Sequence, residues 1–291
     1  MRLHVLLISA FALVLPMSWA GAALASSNAS VASPEKPLVL VAAVGQRFTS
    51  VTQVKQTGSH LPPYRRQLVD APDQVLNRIV LQGLDDSIAA VSPKTQRVLL
   101  SVPIPITDYG DAAVLERAAI EHVIASLRAM PRREDWGKVV VMTPAYRSMG
   151  RDGLGDRLRG LGLFYQTQCE SNDVSCSWGS RPASGPQALT KEGETRPANF
   201  FVAPYSYLKC WVLDPVSLEV LEQYESLEHQ KLAVSGGVML DMRDLDNRAF
   251  IAKNIQTVVY RSVEAAVAQT ELVGKISLGE VREVRDAKAQ K

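Results

Sequence analysis

Apolar segments of strand length alternate with amphipathic segments of helix length along most of this 291-residue chain, and this alternation constrains the fold most. Residues 38–44 form an uninterrupted apolar run and residues 138–143 a nearly uninterrupted one, as in strands that are buried on both faces. Between them, residues 75–88 and 115–130 repeat apolar side chains at helical spacing. Strands that alternate with helices predict an α/β fold with a partly parallel sheet.

The last third of the chain predicts a β-hairpin followed by a helix. Residues 207–213 and 218–225 have the β-branched and aromatic content of strands, and Asp214-Pro215-Val216-Ser217 between them suits a type I turn. Apolar residues recur at helical spacing from a cap at Asp246 or Asn247 to Val267. The predicted fold class is therefore α/β: one mixed sheet flanked by about three helices, with a C-terminal antiparallel hairpin and a final helix.

Two segments before the first helix are less regular. Residues 47–55 predict a second strand, joined to the first through Gly45 and Gln46 either as a hairpin or as one bent long strand. Residues 57–67, with glycine and two adjacent prolines, predict a loop.

The N-terminus has the pattern of a secretory signal peptide. Arg2 is followed by an apolar run over residues 5–19, and Ala23-Leu24-Ala25 predicts cleavage after Ala25, with earlier sites after Ala20 or Ala22 as alternatives. An uncleaved membrane anchor is the alternative, but Pro16 interrupts a run that is short for a span of about 20 residues. Five segments result: a signal peptide at 1–25, a flexible lead-in at 26–36, a single α/β domain at 37–272, a long exposed loop inside it at 169–197, and a charged tail at 273–291.

Export predicts a periplasmic or extracellular protein with no transmembrane segment after cleavage. Removing residues 1–25 lowers the formal net charge from +2 to +1, and basic and acidic residues are interspersed. Nucleic-acid binders concentrate lysine and arginine on one face, so this pattern excludes nucleic acid as a partner.

Three cysteines follow the signal peptide. In an oxidising compartment, Cys169 and Cys176 are the natural disulfide pair because they bracket a short polar segment. Cys210 lies in an apolar run and is predicted to be a buried free thiol, although pairing with either of the other two is an alternative. The spacing does not match a metal site, and no cofactor is predicted.

The glycine-rich segment 150–166 resembles a phosphate-binding loop but fails both patterns. Gly153 and Gly155 begin a G-x-G-x-x-G motif in which Leu158 occupies the third glycine position. The lysine of a P-loop is also missing. The glycines are instead predicted to make tight turns and a close-packed strand at Gly160 and Gly162.

A different anion site is predicted beyond the strand that ends near residue 143, because ligands of open α/β sheets bind beyond strand ends. Its candidate residues are Thr143, Tyr146, Arg147, Arg151 and Arg157. The alternative is that these arginines pair with neighbouring aspartates in water. No complete catalytic motif is present: in the segment around Ser148, Tyr146 stands where a nucleophile elbow needs its first glycine, which favours a binding protein over an enzyme.

The hairpin motif "YLKCWVLDPVSLEVLEQ", preceded by "GLGLFYQ" and followed by a helix, resembles small exported domains of the CsgG, LpoB and TolB N-terminal type. The resemblance covers the order of elements over about 37–272 and carries over no functional residue. It implies a protein that binds envelope partners. The loop at 169–197 and the missing lipid-attachment cysteine depart from that pattern.

If the hairpin lies at a sheet edge, Tyr205, Tyr207 and Trp211 could receive a strand from a partner; packing in the core is the alternative. The sequence therefore predicts a soluble, exported binding or accessory protein of the bacterial cell envelope with an envelope protein as partner. The alternative function is a periplasmic hydrolase that acts on a phosphorylated or other anionic substrate.

Overall fold

A computed structural model describes residues 36–53, 64–105, 111–146, 158–166, 186–198, 200–233 and 240–273. The strands are β1 (Leu38–Ala42), β2 (Arg47–Gln53), β3 (Tyr64–Asp70), β4 (Arg97–Ser101), β5 (Val139–Pro144), β6 (Leu161–Gln166), β7 (Gln187–Leu189), β8 (Thr195–Pro197), β9 (Phe201–Leu213) and β10 (Val220–His229). The helices are α1 (Val75–Val91), α2 (Ala112–Arg128) and α3 (Leu245–Val267). The predicted signal peptide and nearly all of the predicted tail lie outside the described residues.

The thirteen-residue strand β9 organises the main sheet. Tyr205 pairs with Gly162 of β6 and also with His229 of β10, so β6 and β10 lie on opposite sides of β9. Cys210 likewise pairs with both β5 and β10. Strands β5 and β6 therefore lie end to end along the same side of β9, both antiparallel to it.

The next row of the sheet repeats this arrangement. Strand β1 is parallel to β5, and β2 is parallel to β6. Strand β4 then adds in parallel beside β1, and β3 adds in antiparallel beside β2. Strands β1 and β2 thus follow each other in the same direction, separated by residues 43–46, and do not pair, so the hairpin alternative is wrong. The mixed, partly parallel sheet of the predicted fold class is confirmed.

Helices cover both faces of the half of the sheet that contains β1, β4 and β5. On one face, Leu40, Val140 and Cys210 pack with apolar residues of α1 and α3. On the other face, Val41 and Val141 pack with apolar residues of α2. This three-layer packing buries strands β1 and β5 on both sides and explains their uninterrupted apolar sequences. No helix within the described ranges is long and apolar enough to cross a membrane.

Two short pieces of structure were not predicted. Residues 64–67 were predicted as loop but begin β3, which is paired with β2 along its whole length. Its alternating exposed and half-buried side chains leave only a weak apolar pattern in the sequence. The predicted loop at 169–197 is wrong at its end, because β7 and β8 form a two-stranded antiparallel sheet there. Buried Ala188 and Ala198 fix these strands against Phe201.

The predicted C-terminal hairpin and final helix are confirmed as β9–β10 and α3. Asp214 stabilises the connecting turn, because its Oδ1 accepts hydrogen bonds from the backbone N–H groups of Val216 (2.9 Å) and Ser217 (2.7 Å). These bonds, led by that from Ser217, favour the carboxylate and lower the pKa of Asp214.

Two glycines after the 150–159 segment have distinct conformational roles. Gly160 has φ +59°, a left-handed conformation that favours glycine. At Gly162 there is no room for a side chain: a Cβ atom would overlap the carbonyl oxygen of Thr49 and the hydroxyl of Tyr205. The predicted close-packed strand at this position follows from that contact.

Replacing Gly162 with alanine should therefore destabilise the protein by about 3 kcal/mol, because the new methyl group meets backbone that cannot move away. Urea unfolding monitored by circular dichroism measures this change. Gly83→Ala is the control: its Cβ would lie 3.3 Å from a Tyr260 side-chain atom, so we expect a change within about 1 kcal/mol. Equal stability of the two variants would contradict the packing at Gly162.

Cys210 is a buried free thiol, as predicted. Burial, with a smaller contribution from the charge of Glu222, raises the pKa of Cys210 to about 12. Cys169 and Cys176 lie outside the described residues, and their disulfide stays a prediction.

The native protein should therefore resist thiol reagents at pH 8, because they attack the thiolate, which Cys210 does not form there. After unfolding without reductant we expect one reactive thiol per chain, and three after reduction. Rapid labelling of the native protein would contradict the burial of Cys210. Three thiols without reductant would overturn the predicted disulfide.

Candidate functional site

Thr143 and Tyr146, the described members of the predicted anion site, lie at the carboxyl end of β5 and are both buried. The Oγ1 of Thr143 accepts a hydrogen bond from Trp211 Nε1 at 2.9 Å. The backbone N–H of Tyr146 donates to Glu116 Oε1 at 3.0 Å. Both contacts join the end of β5 to its neighbours. The two described residues of the predicted site therefore lie in a closed, internally bonded corner.

A buried ion-pair network holds this corner together. The Lys209 ammonium on β9 lies 3.1 Å from Glu116 Oε2 of α2 and 3.1 Å from Glu225 Oε1 of β10. The side chains of Lys209 and Glu116 are only 7% and 4% exposed. Lys209 Nζ also lies 4.7 Å from the centroid of the Trp211 ring, within cation–π range. One cation thus links helix α2 to two adjacent strands.

The charged groups of this network bind one another and the adjacent backbone. Glu116 uses one carboxylate oxygen for Lys209 and the other for the Tyr146 N–H, where the chain enters 147–157. The network therefore fixes the chain at Tyr146, just after the end of β5. Arg147, Arg151 and Arg157 lie outside the described residues, so their part in an anion site stays a prediction.

The sequence contains one signal for this network. Lys209 occupies a strand of otherwise uncharged residues, "FVAPYSYLKCWVL", all thirteen of which are buried. A buried ammonium requires a counter-ion, so a lysine in such a run predicts a buried carboxylate. The identity of that carboxylate could not be predicted, because Glu116 is 93 residues away in the chain.

The hairpin aromatics are in the core, so their prediction as a partner-binding edge is wrong. Strand β9 has neighbours on both sides, and the edge strand of the hairpin is β10. Tyr205, Tyr207 and Trp211 are at most 7% exposed. The rings of Tyr205 and Tyr207 meet edge to face at 5.7 Å. Packing in the core was the alternative considered for these side chains, and it is confirmed.

The clearest open site among the described residues is an apolar groove of about 240 Å³ between α1 and α3. Its floor is the β2–β6 part of the sheet. We call it the α1–α3 groove; it is lined by Phe48, Asp70, Ala71, Pro72, Val75, Leu76, Ile79, Leu161, Gly162, Ala252 and Ile255.

The positions of helices α1 and α3 create the groove. Helices α1 and α3 pack closely at Gly83, whose missing side chain lets Tyr260 and Val263 approach. Closer to the start of α1 the walls are Val75 and Ile79 on one side and Ile255 on the other. The single carboxylate at the rim, that of Asp70, accepts a 2.8 Å bond from Arg47. The groove thus presents an apolar interior whose acidic rim residue is neutralised.

A second cavity, of about 320 Å³, lies at the opposite end of β1. Its lining mixes apolar residues with Lys36, Lys138 and Glu271. Lys36 donates to the backbone carbonyl of Glu134.

The residues described by the structure hold no group of three or more histidine, cysteine, aspartate and glutamate side chains placed to bind a metal ion.

No family model and no curated protein matches the chain. Among solved structures, it is similar to a neuraminyllactose-binding hemagglutinin homolog from Helicobacter pylori, with 10% identity, a TM-score of 0.35, and coverage of 84% of this chain and 86% of that one. A Xanthomonas campestris protein, XCC0632 of family model DUF330, is 6% identical, with a TM-score of 0.34 and coverage of 82% and 84%. The lipoprotein GNA1162 of Neisseria meningitidis is 9% identical, with a TM-score of 0.23 and coverage of 76% and 98%.

Similarities this distant carry no argument about what the chain does. The resemblance to the CsgG, LpoB and TolB N-terminal type stays a resemblance in the order of elements.

Replacing Lys209 with methionine should destabilise the protein by about 3–5 kcal/mol, because Glu116 and Glu225 would lose their shared cation in a buried position. Adding Glu116→Gln should recover part of this loss, since the neutral amide no longer needs a cation. Urea unfolding measures both variants. Lys253→Met, at an exposed position of α3, is the control and should change stability by no more than about 0.5 kcal/mol. A Lys209→Met variant as stable as this control would show that the network contributes nothing.

Proposed function

We propose that this protein is an exported binding protein of the bacterial cell envelope and that the α1–α3 groove binds an apolar group. The signal-peptide pattern supports export. The observation that carries the binding proposal is the groove itself, an open apolar concavity of about 240 Å³ between two helices. Ligand sites of soluble proteins are typically concave and mostly apolar, with few polar groups at their margins.

The volume of the groove limits the size of the ligand that it can bind. A closed apolar cavity of about 150 Å³ is enough to bind benzene, and sites for drug-sized ligands begin at about 300 Å³. The groove lies between these values and suits one hydrocarbon chain or one aromatic ring. Filling it would remove the side chains of Phe48, Val75 and Ile255 from water, with a gain of about 25 cal/mol per Å² of apolar surface buried.

An accessory role with an envelope protein as partner is part of this proposal. A partner could supply the apolar group as one side chain, and a small molecule could supply it as part of its skeleton. The alternative function, a hydrolase for anionic substrates, depends on the three arginines of 147–157. The internal hydrogen bonds of Thr143 and the Tyr146 backbone give it no support.

Ala252→Trp tests the groove, because Ala252 lines it yet is exposed, so an indole there can cover the groove without entering the core. The wild-type protein should enhance the fluorescence of the neutral apolar dye N-phenyl-1-naphthylamine. Ala252→Trp should weaken the binding of this dye by about tenfold, a loss of about 1.4 kcal/mol.

The matched control is Ala249→Trp, which adds the same side chain at an exposed position of α3 that does not line the groove. This variant should bind the dye as the wild type does, and circular dichroism should show the same melting temperature for all three proteins. Equal dye affinity of the two tryptophan variants would disprove the groove as the binding site.

A further inference from the structure

The α1–α3 groove continues onto one face of the sheet corner formed by β2, β3 and β6. Antiparallel pairing places Phe48 beside Val69, Ser50 beside Gln67 and Thr52 beside Arg65. Paired residues of adjacent strands share a face, so these six side chains lie on the same side of the sheet. Phe48 packs on the α1–α3 side, which identifies the face. We call this surface the open corner.

Polarity changes in steps along the open corner. The first row, at the groove, is apolar: Phe48 forms the groove floor, and neighbouring Val69 is 38% exposed. The second row, Ser50 and Gln67, offers a hydroxyl and an amide. The third row ends in the exposed guanidinium of Arg65. A surface that runs from apolar to cationic is complementary to a molecule that runs from apolar to anionic.

Arg65 is available to such a molecule. Within the described part of the chain, no carboxylate lies within ion-pair distance of Arg65, whereas Arg47 on the neighbouring strand is paired with Asp70 at 2.8 Å. A guanidinium binds carboxylate and phosphate oxygens with two parallel N–H donors, which suits it to an anionic head group.

Hydroxyl groups flank this position. Thr52 pairs with Arg65 on one side and with Tyr165 of β6 on the other. Tyr165 packs in the cluster that includes Phe48 and Ile255, so it lies on the same face. Its burial raises the pKa of the phenol, which stays protonated at neutral pH and can donate a hydrogen bond.

The spacing sets the length of the ligand. Thr52 lies four residues beyond Phe48, about 13 Å along a strand. A molecule that fills the groove and reaches Arg65 must therefore carry its charge at the end of an extended apolar chain. The groove volume of about 240 Å³ suits one such chain.

We infer that the open corner and the α1–α3 groove together bind a single-chain amphiphile with an anionic head group, with its chain in the groove and its head at Arg65. This inference rests on the proposed function of the groove and adds the class of ligand. A neutral amphiphile leaves Arg65 unused, and a cationic one places like charges together.

Three amphiphiles, each with one straight chain of twelve carbons, test the inference: dodecanoate, whose twelfth carbon is the carboxylate, 1-dodecanol and dodecyltrimethylammonium. The two ionic amphiphiles are titrated below their micelle concentrations, and dodecanol below its solubility limit, against N-phenyl-1-naphthylamine bound to the wild-type protein. Dodecanoate should displace the dye at about fivefold lower concentration than dodecanol, which corresponds to one partly exposed charge pair. Dodecyltrimethylammonium should be the weakest competitor.

Arg65→Gln should abolish the preference for dodecanoate over dodecanol, and Arg65→Glu should reverse the order in favour of the ammonium. The matched control is Arg128→Gln, which removes the same charge from an exposed position of α2, across the sheet from the open corner. It should leave the preference unchanged.

The outcomes separate the two proposals. If the dye and all three amphiphiles bind equally well and Arg65→Gln has no effect, the head-group inference fails while the groove stands. If dye binding is absent, or unaffected by Ala252→Trp, the proposed function of the groove fails. An equal loss of preference in Arg65→Gln and Arg128→Gln would show a general charge effect and overturn the role of Arg65.

Discussion

The main-chain pairing of β9 is the constraint on which the rest of the structure depends. Its thirteen residues are all buried, and their hydrogen bonds extend to β5 and β6 on one side and to β10 on the other. Because β5 and β6 lie end to end along this one strand, β1 and β2 must also follow each other in the next row. The place of every other strand in the main sheet, including the corner that floors the groove, follows from this alignment.

Burial of the whole strand carries a desolvation cost at Lys209, its one charged residue. Lys209 keeps its ammonium out of water only because Glu116 and Glu225 reach it from α2 and β10. Such a network adds little net stability over apolar packing, yet it cannot be broken cheaply at one member. Its geometric effect is specific, since Glu116 also binds the Tyr146 backbone and so fixes the end of β5. On the opposite face, helices α1 and α3 leave an apolar groove.

Prediction succeeded where local pattern and tertiary environment agree. The turn at Asp214, the three helices and the buried strands β1 and β5 were predictable because their sequences show turn chemistry, helical spacing or uninterrupted apolar runs. Strand β3 was missed because only one of its faces is partly covered, so its apolar alternation is weak. Its two arginines and terminal aspartate also give it the polar composition of a loop. The predicted anion site stays a prediction: Thr143 Oγ1 and the Tyr146 backbone N–H at the end of β5 are bonded internally, and Arg147, Arg151 and Arg157 lie outside the described residues.

The sequence by itself determined the α/β class, the order of the three helices and the buried strands, and the expectation of export, because these depend on periodicity, turn residues and an apolar leader. Only the tertiary structure decided which strand lies at an edge, which carboxylates meet Lys209 and where two helices leave a groove. Each of these depends on contacts between residues far apart in the chain: Glu116 and Lys209 are 93 positions apart, and Tyr205 and Thr49 are 156. Local pattern carries no information about such pairs, because chain topology alone brings them together.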